Sequence, residues 1–177
     1  MVTTAKRSRL KTFASAACRF EDVYTTSVQH LKHLVVTFRL SSPSSKFTLL
    51  WHTALTYLGN AMLTTSKDET WYYYFLLCIY GYERLGRSWR VTKSISTALL
   101  SMAMRQGDLS SENAIAILHD LDEITFPDLQ GEVRATFMAD LDLAQTDPEG
   151  ARVESQAGEF GQNAMFDELT YFFDGNQ

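Results

Sequence analysis

The chain has 177 residues, of which 45% are hydrophobic and 12% aromatic, a composition that supports a buried core and excludes a wholly disordered or collagen-like polymer. Its net charge of −5 hides a division, because residues 1–106 hold 14 Lys and Arg against 5 Asp and Glu, whereas residues 107–177 hold 2 against 16. No apolar run approaches the ~20 residues that span a bilayer, and two cysteines, Cys18 and Cys78, suit a reducing compartment better than a disulfide scaffold, so a soluble intracellular protein is expected.

Residues 1–18 are weakly patterned and basic, with Lys6, Arg7, Arg9 and Lys11 close together and no apolar stretch of signal-peptide length. These read as a flexible N-terminus whose charges are either solvated or a nuclear-import or phosphate patch. Tyr24, Val28, Leu31, Val35 and Phe38 recur at three- and four-residue steps and predict a helix over about residues 21–39. SSPSS at 41–45 breaks it. Phe47, Leu50, Trp51, Ala54, Leu55, Leu58, Ala61 and Met62 then draw a second apolar stripe, which ends at the polar TTSKDE of residues 64–69.

In WYYYFLLCIYGYERLGRSW, residues 71–89, the side chains of Trp71, Phe75, Cys78, Ile79, Tyr82 and Leu85 line one side of a third helix. Val91, Ile95, Ala98, Leu99 and Met102 give a fourth, stopping at Gly107, where a left-handed cap is cheapest. Ser110 is an N-cap candidate for a fifth, with Glu112 in its first turn and Ala114, Ile117, Leu118 and Leu121 on its apolar side. Beyond the boundary at Pro127, Val133, Phe137, Leu141 and Ala144 predict one more helix ending before Pro148. Residues 149–163 are polar and Gly-containing and read as a linker or a frayed segment. The closing MFDELTYFFDGNQ sets Met165, Leu169, Phe172 and Phe173 along one side of a short helix among acids. No Asn-Gly or Asp-Gly hairpin signal lies between alternating segments. The expected fold is all-α: an irregular bundle of about six helices with a short amphipathic C-terminal helix or flexible acidic tail. Its organisation is a basic N-terminus (1–18), a helical regulatory domain (19–145) and a linker with an acidic aromatic tail (146–177).

Catalytic chemistry has little footing. His30 and His33 stand one helical turn apart, as metal ligands can, but neither cysteine is placed to complete a zinc site, and a polar helix surface explains them as well. His52, beside Trp51, reads as a boundary residue rather than a general base. Asp120, Asp122 and Glu123 in HDLDE present carboxylates suited to Mg²⁺, yet no second acidic cluster is set to face them. There is no Gly-x-Ser-x-Gly elbow and no Gly-rich phosphate loop. Arg84, Arg87, Arg90 and Lys93 cluster at a turn, where cations complement a helix C-terminus. No enzymatic activity, metal or cofactor is therefore expected. Two sets of residues are candidates for binding instead: Trp71, Phe75, Tyr82 and Trp89 for an effector cavity, with core packing as the alternative, and Phe166, Leu169, Phe172 and Phe173 for coactivator contact. The second set belongs to a segment, 119–174, in which acids alternate with aromatic groups as in amphipathic activation segments; an ordinary acidic surface is its alternative.

Two longer passages, WYYYFLLCIYGYERLGRSWRVTKSISTALLSMAMRQGDLSSENAIAILHDL and VRATFMADLDLAQTDPEGARVESQAGEF, resemble the C-terminal region of fungal Zn(II)2Cys6 binuclear-cluster transcription factors. The resemblance is closest to the nitrogen-assimilation regulator group. It is carried most strongly by Arg134, Phe137, Asp140, Leu141, Asp142, Leu143 and Ala144 followed by a polar linker, and FTLLWHTALTYLGNAML is similar to the helix that precedes this block. The six-cysteine zinc cluster is absent from this sequence, so direct DNA reading is not implied. The resemblance implies a nuclear, all-helical regulatory region, a fragment of a longer protein or a stand-alone relative, that controls transcription through effector or protein contacts. Its partners would be other transcription proteins or coactivators, or a second copy of itself as a homodimer, with no membrane involved. The alternative function is a helical adaptor or oligomerisation module without enzymatic activity.

Overall fold

The computed structural model describes residues 20–41, 49–64, 67–86, 91–124 and 137–165. The first five helices are α1 (Phe20–Ser41), α2 (Leu49–Thr64), α3 (Trp71–Gly86), α4 (Val91–Arg105) and α5 (Ser111–Ile124). Each forms where apolar residues recur at helical spacing, and each buries that stripe. Phe75, Cys78, Ile79, Tyr82 and Leu85 of α3 meet Trp51, Leu55, Leu58 and Met62 of α2, with Ile95, Leu99 and Met102 of α4 in the same core. The fold is all-α, and the described residues contain no strand, only an isolated antiparallel bridge between Met138 and Arg152.

Local chemistry sets the helix ends. Asp68 shapes the turn into α3: its Oδ1 accepts from the Thr70 amide at 2.9 Å and from the Thr70 hydroxyl at 2.7 Å. α4 ends in a Schellman turn, with Gly107 at φ +74°, Gly107 N–H donating to the Met104 carbonyl and Asp108 N–H to the Ala103 carbonyl. Ser110 caps α5 by accepting from the Asn113 amide at 3.3 Å.

The helices pack in sequence order, α1 on α2, α2 on α3, α3 on α4 and α4 on α5, and α2 also touches α4. α4 is central. Beyond the expected stripe it buries Ser96, Leu100, Ser101, Ala103 and Met104, because its far side is covered too. The cover is α6 (Val153–Gly158), continued by helical residues 160–165. Residues 149–163 are therefore not the linker their polarity predicts. Val153 is buried against the core, Gln156 is buried with its side-chain amide donating to the Gly150 carbonyl at 2.8 Å, and Asn163 donates to the buried Ser101 hydroxyl at 2.9 Å.

Of the helix expected over Val133–Ala144, residues 133–136 lie outside the described residues and residues 137–144 take another course. Side chains there take the backbone groups that helical hydrogen bonds would use. Asn60 of α2 donates to the Ala139 carbonyl at 2.8 Å and accepts from the Leu141 amide at 2.9 Å, and Asp140 Oδ1 accepts from the amides of Asp142 and Leu143. The chain turns instead, with one 3-10 turn at Leu143–Gln145, and returns so that Ala139 and Asp140 donate to the Ala151 carbonyl. Arg105 locks this loop to α4 and α6, reaching Asp140 Oδ2 at 2.8 Å and Gln156 Oε1 at 3.0 Å. Leu50 is a smaller departure: it is 77% exposed in the first turn of α2, while Trp51, one residue on and about 100° around the helix, takes the inward side.

α1 is held by an unusual group. Lys32 is only 4% exposed. Its ammonium pairs with Asp68 Oδ2 at 3.0 Å, hydrogen-bonds Thr70 Oγ1 at 3.4 Å and sits 4.7 Å from the centre of the Tyr74 ring. The Thr70 hydroxyl, then Lys32, hold the Asp68 carboxyl below its ordinary range. Because that pKa is depressed in the folded state, the stabilisation is present above about pH 4 and disappears as pH falls through the folded value. The stability advantage of the native chain over Asp68→Asn should accordingly shrink as urea unfolding is repeated from about pH 5 down to about pH 2. An advantage that stays constant over that span rejects the linkage.

Candidate functional site

The sequence-predicted cavity residues are not gathered around an opening. Phe75 and Tyr82 are fully buried in the core, and Trp71, half-buried at the start of α3, tilts against Phe75 with ring centroids 6.1 Å apart. Burial raises the Tyr82 hydroxyl pKa far above normal, and that hydroxyl lies 2.8 Å from Thr56 Oγ1 and 3.3 Å from the His52 carbonyl. Tyr82 borders a cleft of about 20 Å³, the room of a single water rather than of an organic effector. Trp89 lies outside the described residues, as do Phe166, Leu169, Phe172 and Phe173, the basic residues of 1–18, Arg87 and Arg90.

The remaining candidates separate into ordinary surface and packing roles. His30 and His33 are exposed on α1. His52 is half-buried between Tyr82 and Phe137, whose rings lie 5.8 and 4.9 Å away, and burial lowers its pKa, favouring the neutral ring. In HDLDE, Asp120 Oδ2 accepts from the Tyr80 hydroxyl at 2.5 Å and Asp122 pairs with Lys93 at 2.7 Å. Among the described residues, no group of three or more His, Cys, Asp and Glu is arranged to hold a metal ion. Cys78 is a free, fully buried thiol whose pKa burial pushes well up, so it is unreactive. No described helix is long and apolar enough to cross a membrane.

A larger opening lies between α1 and α3. It is a groove of about 340 Å³ lined by Val36, Arg39 and Leu40 of α1 and by Tyr73, Leu76, Leu77 and Tyr80 of α3. Its existence follows from how α1 is fixed. Lys32 ties the middle of α1 to Asp68 and Tyr74, while Phe38, near its C-terminus, turns inward onto Trp51 with centroids 5.5 Å apart. With Phe38 taken inward, Leu40 projects outward at 81% exposure and faces no cover, and Tyr73 across the groove is 58% exposed. The Tyr80 hydroxyl is held at the α5 side by Asp120. Arg39 is the one charged residue of the lining, and its Nη1 donates to the Leu77 carbonyl at 3.5 Å. An arginine beside an open apolar surface is chemically suited to a group that is apolar on one side and anionic on the other.

A sequence signal for this groove was present. α3 is apolar nearly all round in WYYYFLLCIY, and the second row, Tyr73, Leu76, Leu77 and Tyr80, needs either a second layer or a partner. No protein-family model, curated protein or solved structure matches this chain. The groove, together with the buried clamp around Asp140, is thus read from its own geometry.

Proposed function

We propose that this protein is a transcription regulatory module that acts through protein contacts, as its resemblance to zinc-cluster regulators implies, with its acidic aromatic segment engaging coactivators in the nucleus. The observation that carries the reading is the open α1–α3 groove, an apolar, arginine-bearing surface on a body whose buried polar groups are otherwise tied into its packing. Such a surface suits recognition of a short amphipathic helix laid into a groove. Phe166, Tyr171, Phe172 and Phe173 stand among Asp167, Glu168 and Asp174 in the sequence, a composition that suits uptake of the aromatic groups by a partner.

The test is a reporter assay with the whole chain fused to a neutral DNA-binding domain. Activation is expected, and a Phe172→Ala, Phe173→Ala pair should remove most of it. A fusion that leaves output unchanged, or a double variant as active as its parent, rejects the reading. A second reading, an adaptor or homodimerising module, is favoured by Phe20, Leu34 and Leu40, large apolar side chains exposed along α1. It calls for a concentration-dependent rise in sedimentation coefficient with no reporter effect.

A further inference from the structure

We propose that the outer face shared by α1 and α2 is a self-association surface, on which a second copy of this chain packs about a two-fold axis with the two α1 helices antiparallel. The inference rests on the homodimerising reading and deepens it, by assigning the face and the orientation.

α1 has two working sides. Over its 22 residues, about 33 Å, it buries only Val28, Lys32 and Val35, whereas α4 buries 11 of its 15. On the solvent side of α1, Phe20, Val23, Ser27, His30, Leu34 and Thr37 recur at steps of three and four and are all exposed. One helix seats against another with that spacing. Phe20 is held in place there by stacking on Tyr24, with ring centroids 6.3 Å apart. α2 extends the face. Tyr24 meets Thr64 and Phe38 meets Trp51, so α1 and α2 run antiparallel and Leu34 lies level with the stretch between Leu50 and Tyr57. Leu50 and Tyr57, about two turns apart on α2, are both exposed.

Three observations select a second copy as the occupant. The first is area. Phe20, Val23, Leu34, Leu50 and Tyr57 together leave about 500 to 600 Å² uncovered, most of the ~800 Å² per partner that a standard interface takes. The second is the absence of charge from those side chains and from Ser27, whose hydroxyl already donates to the Val23 carbonyl at 2.7 Å. Across a two-fold axis a charged patch meets its own sign, so an uncharged face is what self-contact requires of a chain with net charge −5. The third is the charge at the ends of α1, which carries Glu21 and Asp22 in its first turn and Arg39 in its last. Antiparallel pairing about an axis near His30 brings the acidic end of one copy to the Arg39 end of the other, whereas parallel pairing sets like charges together.

The experiment is sedimentation velocity on the full chain, from about one micromolar to a few hundred micromolar. The native chain is expected to pass from monomer to dimer over that span. Leu34→Glu should raise the dissociation constant about tenfold or more. Leu40→Glu should leave it within about twofold, because Leu40 lies about 120° further around α1, in the groove with α3. Both residues are exposed, so neither change disturbs the core, and helical circular dichroism checks that each variant is folded. Orientation is read by mild oxidation in a Cys18→Ser background, where Cys78 is buried. His30→Cys, beside the axis, should join two chains much faster than Thr37→Cys, whose copies stand about 20 Å apart in the antiparallel pair and side by side in a parallel one. A chain monomeric throughout, a dimer indifferent to Leu34→Glu or broken by Leu40→Glu, or Thr37→Cys joining as fast as His30→Cys overturns the proposal. A dimer broken by Leu40→Glu alone rejects this face and leaves homodimerisation standing. A Leu34-dependent dimer whose fusion activates the reporter rejects the adaptor reading and leaves the face standing.

Discussion

Leu99→Ala should lower the unfolding free energy by about 2 to 5 kcal/mol. Leu99 is 1% exposed at the middle of the central helix, with its Cδ atoms directed at Gly59 of α2, where a glycine lets the two helices approach closely. Truncation removes apolar area and also leaves a void that α2 and α4 cannot easily close, since both are pinned by other contacts: α2 through Asn60 to Ala139 and α4 through Arg105 to Asp140. For a chain of this size the melting temperature would fall by roughly 2 to 4 °C per kcal/mol. A melting temperature unchanged in Leu99→Ala would mean that the α2–α4 contact is not the centre of the core.

Asn60→Ala is the second large effect, at about 2 to 4 kcal/mol. Asn60 is 5% exposed, and its side chain satisfies a carbonyl at Ala139 and an amide at Leu141, across 79 and 81 residues of chain. Alanine loses these bonds and strands two backbone groups away from water, which costs more than the bonds themselves contribute. The loss is directional. Amides of residues 139–141 and of α6 should exchange with solvent much faster in the variant, while those of α3 and α5 keep more of their protection. Uniform loss of protection would show that the 137–152 loop is not a separable unit.

These two sites mark the boundary of what pattern alone reveals. Leu99 is legible because a helix that buries one stripe repeats its apolar residues with period 3.6, and α1, α3, α4 and α5 all follow that rule. Gly107 and Ser110 were legible as punctuation for a similar reason, since cap chemistry is local. Asn60 and Lys32 were not. Each is polar in a helix that reads as amphipathic, and each is buried only because a partner distant in sequence, Ala139 or Asp68, comes to meet it. The segment 137–163 misleads in both directions for the same cause. Asp140 and Asn60 satisfy backbone that apolar spacing assigns to a helix, and Gln156 and Asn163 carry a polar helix into a buried seam by pairing with Gly150 and Ser101. The candidate groove was half legible: α3 announces a surplus of aromatic and aliphatic rows, but which of them remains open depends on Phe38 turning inward on α1.

The cover over α4 has a consequence for biosynthesis. Arg105 completes α4, but Val153, the first buried residue of α6, is made only 48 residues later. At translation rates of about 5 to 20 residues per second, the nascent chain carries an uncovered central helix for about 2 to 10 seconds. During that interval Leu100, Ser101, Ala103 and Met104 lack their seal, and chaperones that recognise short apolar stretches have their opportunity. Synthesis of α6, rather than of the aromatic centre, is therefore the step that seals α4.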